Sequence, residues 1–484
     1  MQKLLTFDVG TTAMKCILFD ENFKQLFFAR CEYDISTPSE SVAELDPEIY
    51  FSTFLECVNK MRDSGIDIRE ISSITFTTQG ETLIPVDRDG RPLTSAIVWL
   101  DTRAEREAED LRALIGDEEI YRHTGLWGID GALPAAKVLW LSKNKPEIYE
   151  RLFKLLLVED YLIYRLTGRF VSEASLQSST GWYDINGETL FSDMARACGI
   201  REDMLPEILP CATVVGKPHF EYGFGENTVV TTGAMDQISS AVGIGNIREG
   251  IFSETTGTAL VVGITVEKPV YDTKTPITVY KHYDGKFIYM PYYSTAGMAL
   301  KWFRDTLMPY AEEEGRRRGL SAYEYIDTVA EKSPAGCRGT IMLPNLSHGG
   351  GFSGITLTTD ISDMARSVLE AVAYTLRGII EQAEVRGIKI DEVYSLGGGS
   401  KSPLWERIKA DVCQKSFIPV DFPETTALGA AILASVSIGI YESVDAALSK
   451  NKISGRVIGA EIEALAAYDE NYKKFTKYIQ EDQQ

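Results

Sequence analysis

The first twenty residues carry oxygen and ammonium groups that could bind a polyphosphate. Two short apolar runs predict a β-hairpin, and in and around its turn lie Asp8, Gly10, Thr11, Thr12 and Lys15. The glycine lets backbone N–H groups approach a phosphate, the threonines add hydroxyl donors, and the lysine neutralises charge. The aspartate could hold Mg²⁺ through water, because Mg²⁺ prefers oxygen ligands and keeps much of its hydration. A purely structural Asp-x-Gly turn is the alternative, because short motifs often match by chance.

A second stretch repeats this pattern about half a chain later. Strand-like runs at 251–253 and 260–264 flank Thr256, Gly257 and Thr258. Because 484 residues are too many for one compact core, the two hairpins predict two related α/β domains, 1–245 and 246–484. These domains would face each other across a central cleft that holds one polyphosphate. Coincidence is the alternative, because threonine-glycine turns are common.

Polar clusters at two strand ends are candidates for a substrate site. Gln79, Gly80 and Glu81 follow the strand predicted at 71–76, and Asp236 follows the one predicted at 228–231. Open α/β sheets usually bind ligands at such ends. Asp236 could be a general base facing a cleft or a helix N-cap, and the other cluster could be a solvated loop.

Two small-residue turns further along the chain could accommodate a nucleoside. The strand predicted at 388–396 runs through Gly398 and Gly399 into a helix, which places N–H groups at a helix N-terminus. A second turn, containing Ala427 and Gly429, opens another helix, so an adenine could lie between the two turns. The chain has no Walker A motif, and no G-x-G-x-x-G follows a strand.

Composition limits the partners that the protein can have. The net charge of −21 argues against nucleic acid or an acidic membrane face, because either would be repelled. The longest nearly apolar run, 427–440, is too short to span a bilayer. Seven cysteines without a C-x-x-C pair predict reduced thiols in a cytoplasmic protein. The sequence is compatible with a homodimer.

Taken together, these segments resemble the FGGY family of carbohydrate kinases, which have the actin-like and hexokinase-like (ribonuclease H-like) ATPase fold. The resemblance extends from Asp8 to Ala431 and depends on the order of several motifs. The family's second signature is matched by Gly350, Phe352, Gly354, Ile355, Asp363, Met364, Ser367 and Glu370. The first is nearly matched by Pro134, Lys137, Trp140 and Leu141, although Ala132 replaces the usual residue type. The run at 397–405 is most similar to xylulokinases.

The resemblance implies a role for each candidate residue. Asp8, Gly10, Thr11, Thr12 and Lys15 would form the first phosphate loop, with Asp8 at the metal, and Thr256, Gly257 and Thr258 the second. Gly398, Gly399, Ala427 and Gly429 would contact adenosine. Asp236 would be the catalytic base, and Gln79, Gly80 and Glu81 would join it in the sugar pocket.

The residues at 79–81, called the sugar cluster below, differ from those of familiar members of the family. Xylulokinases resemble one another in a Gln-Met-His there and glycerol kinases in Gln-Arg-Glu, whereas this chain has Gln79, Gly80 and Glu81. Glu81 agrees with the polyol pattern, but the missing arginine argues against glycerol.

The resemblance implies a phosphotransferase that uses ATP and Mg²⁺ to phosphorylate a hydroxyl of a small sugar or polyol, with a ketopentose such as xylulose preferred. Another ketose, a polyol or an aldonate is the alternative acceptor. An actin-like filament, an Hsp70-type chaperone or an idle sugar sensor is the alternative class. The short charged tail after Ala431 leaves no room for a peptide-binding domain, and the sugar cluster with its base argues against a filament.

Overall fold

The structure is a computed structural model that describes residues 2–346, 349–422, 424–450, 455–461 and 464–482. Its strands are β1 (Lys3–Val9), β2 (Ala13–Asp20), β3 (Gln25–Glu32), β4 (Ser36–Ser39), β5 (Val42–Leu45), β6 (Ser73–Thr78), β7 (Ile84–Val86), β8 (Ala96–Ile97), β9 (Lys154–Leu156), β10 (Val171–Glu173), β11 (Tyr183–Asp184), β12 (Thr189–Leu190), β13 (Glu207–Leu209), β14 (Val214–Gly216), β15 (Val229–Met235), β16 (Ile251–Thr256), β17 (Leu260–Val266), β18 (Val279–Lys281), β19 (Phe287–Tyr289), β20 (Tyr292–Tyr293), β21 (Ile341–Leu343), β22 (Gly351–Ser353), β23 (Glu392–Leu396) and β24 (Ser416–Pro419).

Its α-helices are α1 (Pro47–Asp63), α2 (Glu105–Ile115), α3 (Asp117–Thr124), α4 (Pro134–Asn144), α5 (Pro146–Tyr149), α6 (Val158–Thr167), α7 (Ala174–Gln177), α8 (Ser192–Cys198), α9 (Asp236–Gly243), α10 (Gly297–Leu307), α11 (Ala311–Arg317), α12 (Ala322–Ala330), α13 (Ile361–Val385), α14 (Pro403–Cys413), α15 (Thr425–Ser437), α16 (Val444–Lys450) and α17 (Leu465–Asp482). None of the helices in the described part of the chain is both long and apolar enough to cross a membrane.

The chain divides into two compact units, and their boundaries differ from the single predicted boundary between residues 245 and 246. The first unit contains Met1–Ile247, Glu267–Tyr289 and Pro423–Lys452, and the second contains Arg248–Val266, Met290–Phe422 and Ile453–Gln484. The first boundary along the chain lies close to the predicted one. Two later segments nevertheless return to the first unit, and hydrophobic periodicity gives no signal for such a return.

The first unit is built on a sheet in the order β14-β15-β6-β1-β2-β3. β1 is antiparallel to β2 and parallel to β6, and β6 is parallel to β15. Because β1 is covered on both faces, its apolar residues run almost without alternation, as in buried parallel strands. Phe7 of β1 stacks against Phe76 of β6 and packs on Phe54 of α1.

The second unit repeats this arrangement around the second hairpin. Its sheet runs β17-β16-β23-β24, with β20 also paired to β17. β16 is antiparallel to β17 and parallel to β23, as β1 is to β2 and β6. The repeated hairpin predicted from the sequence is therefore confirmed as a repeated strand arrangement.

Local signals account for several boundaries in the second unit. The helix predicted over 363–382 is α13, which begins where Asp360 accepts hydrogen bonds from the N–H groups of Ser362 and Asp363. The predicted strand, glycine turn and helix appear as β23, the turn after Leu396, and α14. The run predicted as a turn around Ala427 instead lies inside α15, because its small residues continue a helix that already begins at Thr425.

Candidate active site

Three of the predicted polar groups lie at one edge of the first sheet. Asp8 of β1 is in register with Thr77 of β6, and Met235 of β15 is in register with Thr78. Since these three strands are parallel, their carboxyl ends meet at the same edge. The residues that follow, Gln79 after β6 and Asp236 after β15, therefore come together there with Asp8.

The turn of the first hairpin is tighter than the sequence indicated. Asp8 lies in β1 rather than in the turn, and the N–H of Gly10 donates to the carbonyl of Ala13 at 3.0 Å. That donor is therefore used within the turn. Thr12 is exposed, whereas the Thr11 hydroxyl donates to Oε1 of Gln79 at 3.0 Å. Thr11 thus links the hairpin to the predicted sugar cluster.

Lys15 is paired with two carboxylates of its own unit. Its Nζ lies 3.3 Å from Asp8 Oδ2 and 2.8 Å from Glu424 Oε2. Burial raises the pKa of Asp8, and Lys15 opposes that shift. The lysine is thus placed to hold a carboxylate-rich edge together.

The sugar cluster is closely packed. A Cβ on Gly80 would lie 2.9 Å from Ser179 Oγ and 3.0 Å from Met235 Sδ, so a larger side chain requires these neighbours to move. Glu81 has a φ of +64°, a conformation that a non-glycine residue keeps only when its surroundings hold it there. Its N–H donates to Ser179 Oγ at 3.3 Å.

Lys137 lies beneath this cluster with all three of its N–H donors used. Its buried Nζ donates to the carbonyls of Glu81 at 3.1 Å, Val98 at 2.9 Å and Ile97 at 3.4 Å. Burial lowers the pKa of Lys137 and raises that of Glu81. The lysine therefore fixes the backbone of the cluster and has no donor left for a ligand.

Asp236 begins α9, at the sheet edge. It is the first residue of the helix rather than an N-cap, since Met235 holds the N-cap position, and its Oδ1 accepts from the N–H of Gln237 at 2.6 Å. Burial, together with the nearby carboxylates of Asp8 and Glu81, raises its pKa to about 7. A carboxylate with a pKa near neutrality suits proton transfer at physiological pH.

Two further side chains belong to this edge, and no sequence pattern singled them out. The indole N–H of Trp99, which is 37% exposed, donates to Thr11 Oγ1 at 2.9 Å. Burial raises the pKa of Tyr280, with smaller effects from Glu81, Asp236 and Asp130. Tyr280 comes from the segment that returns to the first unit, so no local pattern could have indicated it.

The second unit contains a cavity of about 310 Å³. It is lined by Thr256, Gly257, Thr258, Gly297, Met298, Leu300, Lys301, Tyr323, Asp327, Gly398, Gly399, Ser402 and Trp405. The structure thus brings together the second threonine turn and the glycine turn after β23, as a nucleotide site would require. Cβ atoms on Gly257 and Gly398 would meet no atom closer than 3.9 Å, so both glycines leave open space at the cavity.

The cavity also depends on residues that sequence patterns did not single out. The N–H of Gly297, at the start of α10, donates to the carbonyl of Gly257 at 2.9 Å. A Cβ at Gly297 would lie 2.3 Å from that oxygen, so glycine is required for this close approach. Asp327 lines the same space, where burial raises its pKa to about 6 and Ser402 opposes the shift.

A buried ionic network supports the second threonine turn. The Thr256 hydroxyl donates to Glu254 Oε2 at 2.6 Å. Glu254 Oε1 in turn lies 2.6 Å from Nζ of Lys409, which also contacts Glu406 Oε1 at 2.9 Å. Although burial alone would lower the pKa of Lys409, the two carboxylates raise it. The lysine therefore stays charged and fixes the carboxylate behind the turn.

Ala427 and Gly429, predicted to contact adenosine, belong to the first unit. There α15 packs so closely on α9 that a Cβ on Gly429 would lie 1.7 Å from the carbonyl of Ser239. The close approach of two helices thus accounts for the glycine. The cavity of the second unit is formed without either residue.

The described residues contain no cluster of three or more His, Cys, Asp or Glu side chains arranged to hold a metal ion. Asp8 remains the predicted carboxylate for Mg²⁺. A single carboxylate fits this ion, which is commonly held by one or two carboxylates together with phosphate oxygens and water.

Comparison with known proteins agrees with this arrangement. Residues 3–243 match the N-terminal domain of the FGGY family of carbohydrate kinases, and residues 253–438 match its C-terminal domain. A gluconokinase of Bacillus subtilis (strain 168) is 27% identical over 92% of this chain and 89% of its own length. A xylulose kinase of Lactococcus lactis subsp. lactis (strain IL1403) is 28% identical over 92% and 90%. The crystal structure of xylulose kinase from Rhodospirillum rubrum superposes with a TM-score of 0.90 at 24% identity and covers 98% of each chain.

Proposed function

Because the chain belongs to the FGGY family of carbohydrate kinases, a family of phosphotransferases with alcohol acceptors, we propose that it transfers the γ-phosphoryl group of ATP to a hydroxyl of a small uncharged sugar or polyol, with Asp236 as general base. A ketopentose such as xylulose is the first acceptor to test. The observation that carries the proposal is the placement of Asp236 beside the Gln79–Glu81 cluster. The second unit separately contains the cavity lined by both glycine-bearing turns.

In the proposed reaction, the acceptor oxygen attacks the γ-phosphorus, its proton passes to Asp236, and ADP leaves. A loose transition state leaves the protein mainly to position the reactants and neutralise charge. Gly257 and Gly398 would allow the nucleotide to lie close to the backbone, and the fixed Thr256 would orient its phosphates. Bound Mg²⁺ would neutralise the phosphate oxygens, with Asp8 holding it through water.

The acceptor is proposed to be uncharged because the lysines beside the pocket are already engaged. Lys137 uses its three donors on backbone carbonyls, and Lys15 is paired with Asp8 and Glu424. An aldonate would bring its own carboxylate among Asp236 and its acidic neighbours. Like charges about 4 Å apart cost about 1 kcal/mol in water and about 4 kcal/mol near a protein surface.

We therefore expect xylulose or another uncharged acceptor to exceed D-gluconate in kcat/KM by at least about tenfold. The measurement is ADP release coupled to a dehydrogenase, across pentuloses, hexuloses, polyols and aldonates. Glu81→Gln should narrow the difference because it removes one negative charge. One relative is named a gluconokinase. A preference for D-gluconate would contradict the proposal that the acceptor is uncharged, but it would leave the proposed kinase reaction standing.

The pH dependence should report the state of Asp236. A base accepts a proton only when ionised, so kcat/KM should be lost as pH falls through its pKa of about 7. The check is a pH–rate profile at saturating ATP. Glu81→Gln should move the midpoint to lower pH, because Glu81 contributes to the raised pKa. A flat profile between about pH 5.5 and 8 would rule out Asp236 as the base.

The nucleotide cavity can be tested at a glycine with free space around it. Gly398→Ala creates no clash within the protein, since no atom lies within 4 Å of the added Cβ, but it narrows the cavity. We expect weaker binding of ATP, by about tenfold or more, and little change in the KM for the acceptor. Gly459→Ala, which is equally free of neighbours and does not line the cavity, is the matched control. Isothermal titration with an ATP analogue measures the effect, and equal affinity in both variants would place the nucleotide elsewhere.

A further inference from the structure

The strand that presents Asp236 is irregular just before the proposed base. Along the pairing of β15 with β6, Thr231 is in register with Thr75 and Ala234 with Thr77. Three steps on β15 therefore correspond to two on β6, which is a β-bulge at residues 232–233. Bulges re-aim the residues that follow them and leave backbone groups without their usual partners in the sheet.

The N–H group of Gly233 in this bulge is satisfied by a side chain rather than by a strand. It donates to Oε1 of Glu159 at 2.7 Å, and Glu159 is fully buried in the first turn of α6. A Cβ on Gly233 would lie 1.8 Å from the carbonyl of Phe76, so the bulge is pressed directly against β6. Any loss of the glutamate would leave a buried N–H group without an acceptor.

A second side chain is hydrogen-bonded to the last residue of the same strand. The N–H of Met235, the residue before Asp236, donates to Ser175 Oγ at 2.9 Å. That hydroxyl donates in turn to Oε1 of the buried Glu173 at 2.7 Å. On the neighbouring strand, the Thr77 hydroxyl donates to the carbonyl of Ala234 at 2.9 Å.

We infer that Glu159 and Ser175 are positioning residues that fix the bulge of β15 and thereby aim Asp236 at the acceptor hydroxyl. They touch neither substrate, and their effect passes through the backbone of residues 233–235. The inference rests on the proposed function, because it assumes that Asp236 is the base. The second oxygen of Glu159 has no hydrogen-bond partner in the described structure, so the bond to Gly233 is the contact through which the carboxyl group acts on β15.

The chemistry of Glu159 identifies the informative substitutions. Burial and the nearby Glu173 raise the pKa of Glu159 well above its usual value. A glutamine side chain keeps an acceptor oxygen in the same place, so Glu159→Gln should retain wild-type kcat. Glu159→Leu keeps the volume and removes the acceptor, so the bulge should relax and displace Asp236.

The adjacent Asp160 provides a matched control. It is equally buried in the same turn of α6, but its Oδ2 accepts from the N–H of Leu157 and its other partner is the Ser172 hydroxyl on β10, so it bonds no group of β15. Asp160→Leu should therefore destabilise the start of α6 and its contact with β10, without removing an acceptor from the bulge of β15. Its kcat, corrected for the folded fraction, should equal that of the wild type.

The experiment compares kcat, KM and the pH midpoint of kcat/KM for these variants, with folding checked by circular dichroism. We expect Glu159→Leu to lose about 10²-fold in kcat, as a displacement of about 1 Å can cause, and to shift the pH midpoint. The KM for the acceptor should change far less. If Glu159→Leu does not fold, Ser175→Ala decides the question, because it removes one hydroxyl and should lower kcat with the same pH signature.

Wild-type kcat and an unchanged pH midpoint in folded Glu159→Leu, or in Ser175→Ala, would overturn the inference. So would an equal loss of kcat in Asp160→Leu, which would show a general structural effect. Failure of the proposed function looks different, because Asp236→Asn would then remain active. If Asp236→Asn is inactive while Glu159→Leu is fully active, the positioning role of Glu159 would be wrong and the proposed function would stand.

Discussion

Asp236→Asn is expected to lower kcat by about 10²–10⁴-fold, the usual contribution of a positioned general base. Asparagine keeps the size of the side chain and cannot accept the acceptor's proton. The N–H of Gln237, now paired with Asp236 Oδ1, keeps an oxygen acceptor in the variant, so the start of α9 should persist. Steady-state kinetics at saturating ATP and acceptor would measure the loss.

The control for this substitution is Asp34→Asn, which neutralises an exposed carboxylate of the same unit. It should leave kcat unchanged. Affinity for an ATP analogue should also be unchanged in Asp236→Asn, because the cavity belongs to the second unit. Turnover close to wild type in folded Asp236→Asn would mean that another group, or none, takes the proton.

The second large effect is expected at Lys409. Lys409→Met should lower the free energy of unfolding by about 3–5 kcal/mol, because it leaves the carboxylates of Glu254 and Glu406 buried without their cation. Loss of Lys409 should also release Glu254, and with it the Thr256 hydroxyl, so affinity for ATP should fall. Urea denaturation and titration of an ATP analogue measure the two effects.

Lys474→Met is the matched control in the same unit. Lys474 pairs with Glu470 at 2.7 Å on the surface of α17, where both side chains are largely exposed. Exposed pairs of this kind contribute about 0–1 kcal/mol, so this variant should unfold almost as the wild type does. A Lys409→Met variant as stable as Lys474→Met would show that the buried network is not ionic. Adding Glu254→Gln and Glu406→Gln should recover part of the stability, because it removes the uncompensated charges.

The sequence predicted those parts of the site that depend on local chemistry. A threonine-glycine turn between two apolar runs was sufficient to locate both hairpins, since strand period and turn composition are read within a few residues. Asp236 was found for the same reason, because it stands alone among small residues at the end of a strand. The N–H of Gly10, in contrast, is used inside its own turn, and only coordinates could show that.

The parts that were missed depend on contacts between residues distant in the chain. Tyr280 reaches the acidic edge through a segment that returns to the first unit after β17. Asp327 lies on α12 and joins the cavity only through the packing of the second unit. The adenosine contact of Gly429 stays a prediction: the residue lies where two helices approach closely, and close approach to a nucleotide would equally require a missing Cβ. The sequence alone cannot distinguish these two causes.

The transferred phosphoryl group is the most direct test of the account. ³¹P NMR of the protein with ATP, Mg²⁺ and xylulose or another uncharged acceptor from the panel would follow both products. We predict a phosphate-ester signal that grows in equal amount with ADP, requires the acceptor, and is lost in Asp236→Asn. Release of ADP and inorganic phosphate at the same rate with or without any acceptor, and with no ester formed, would contradict the account.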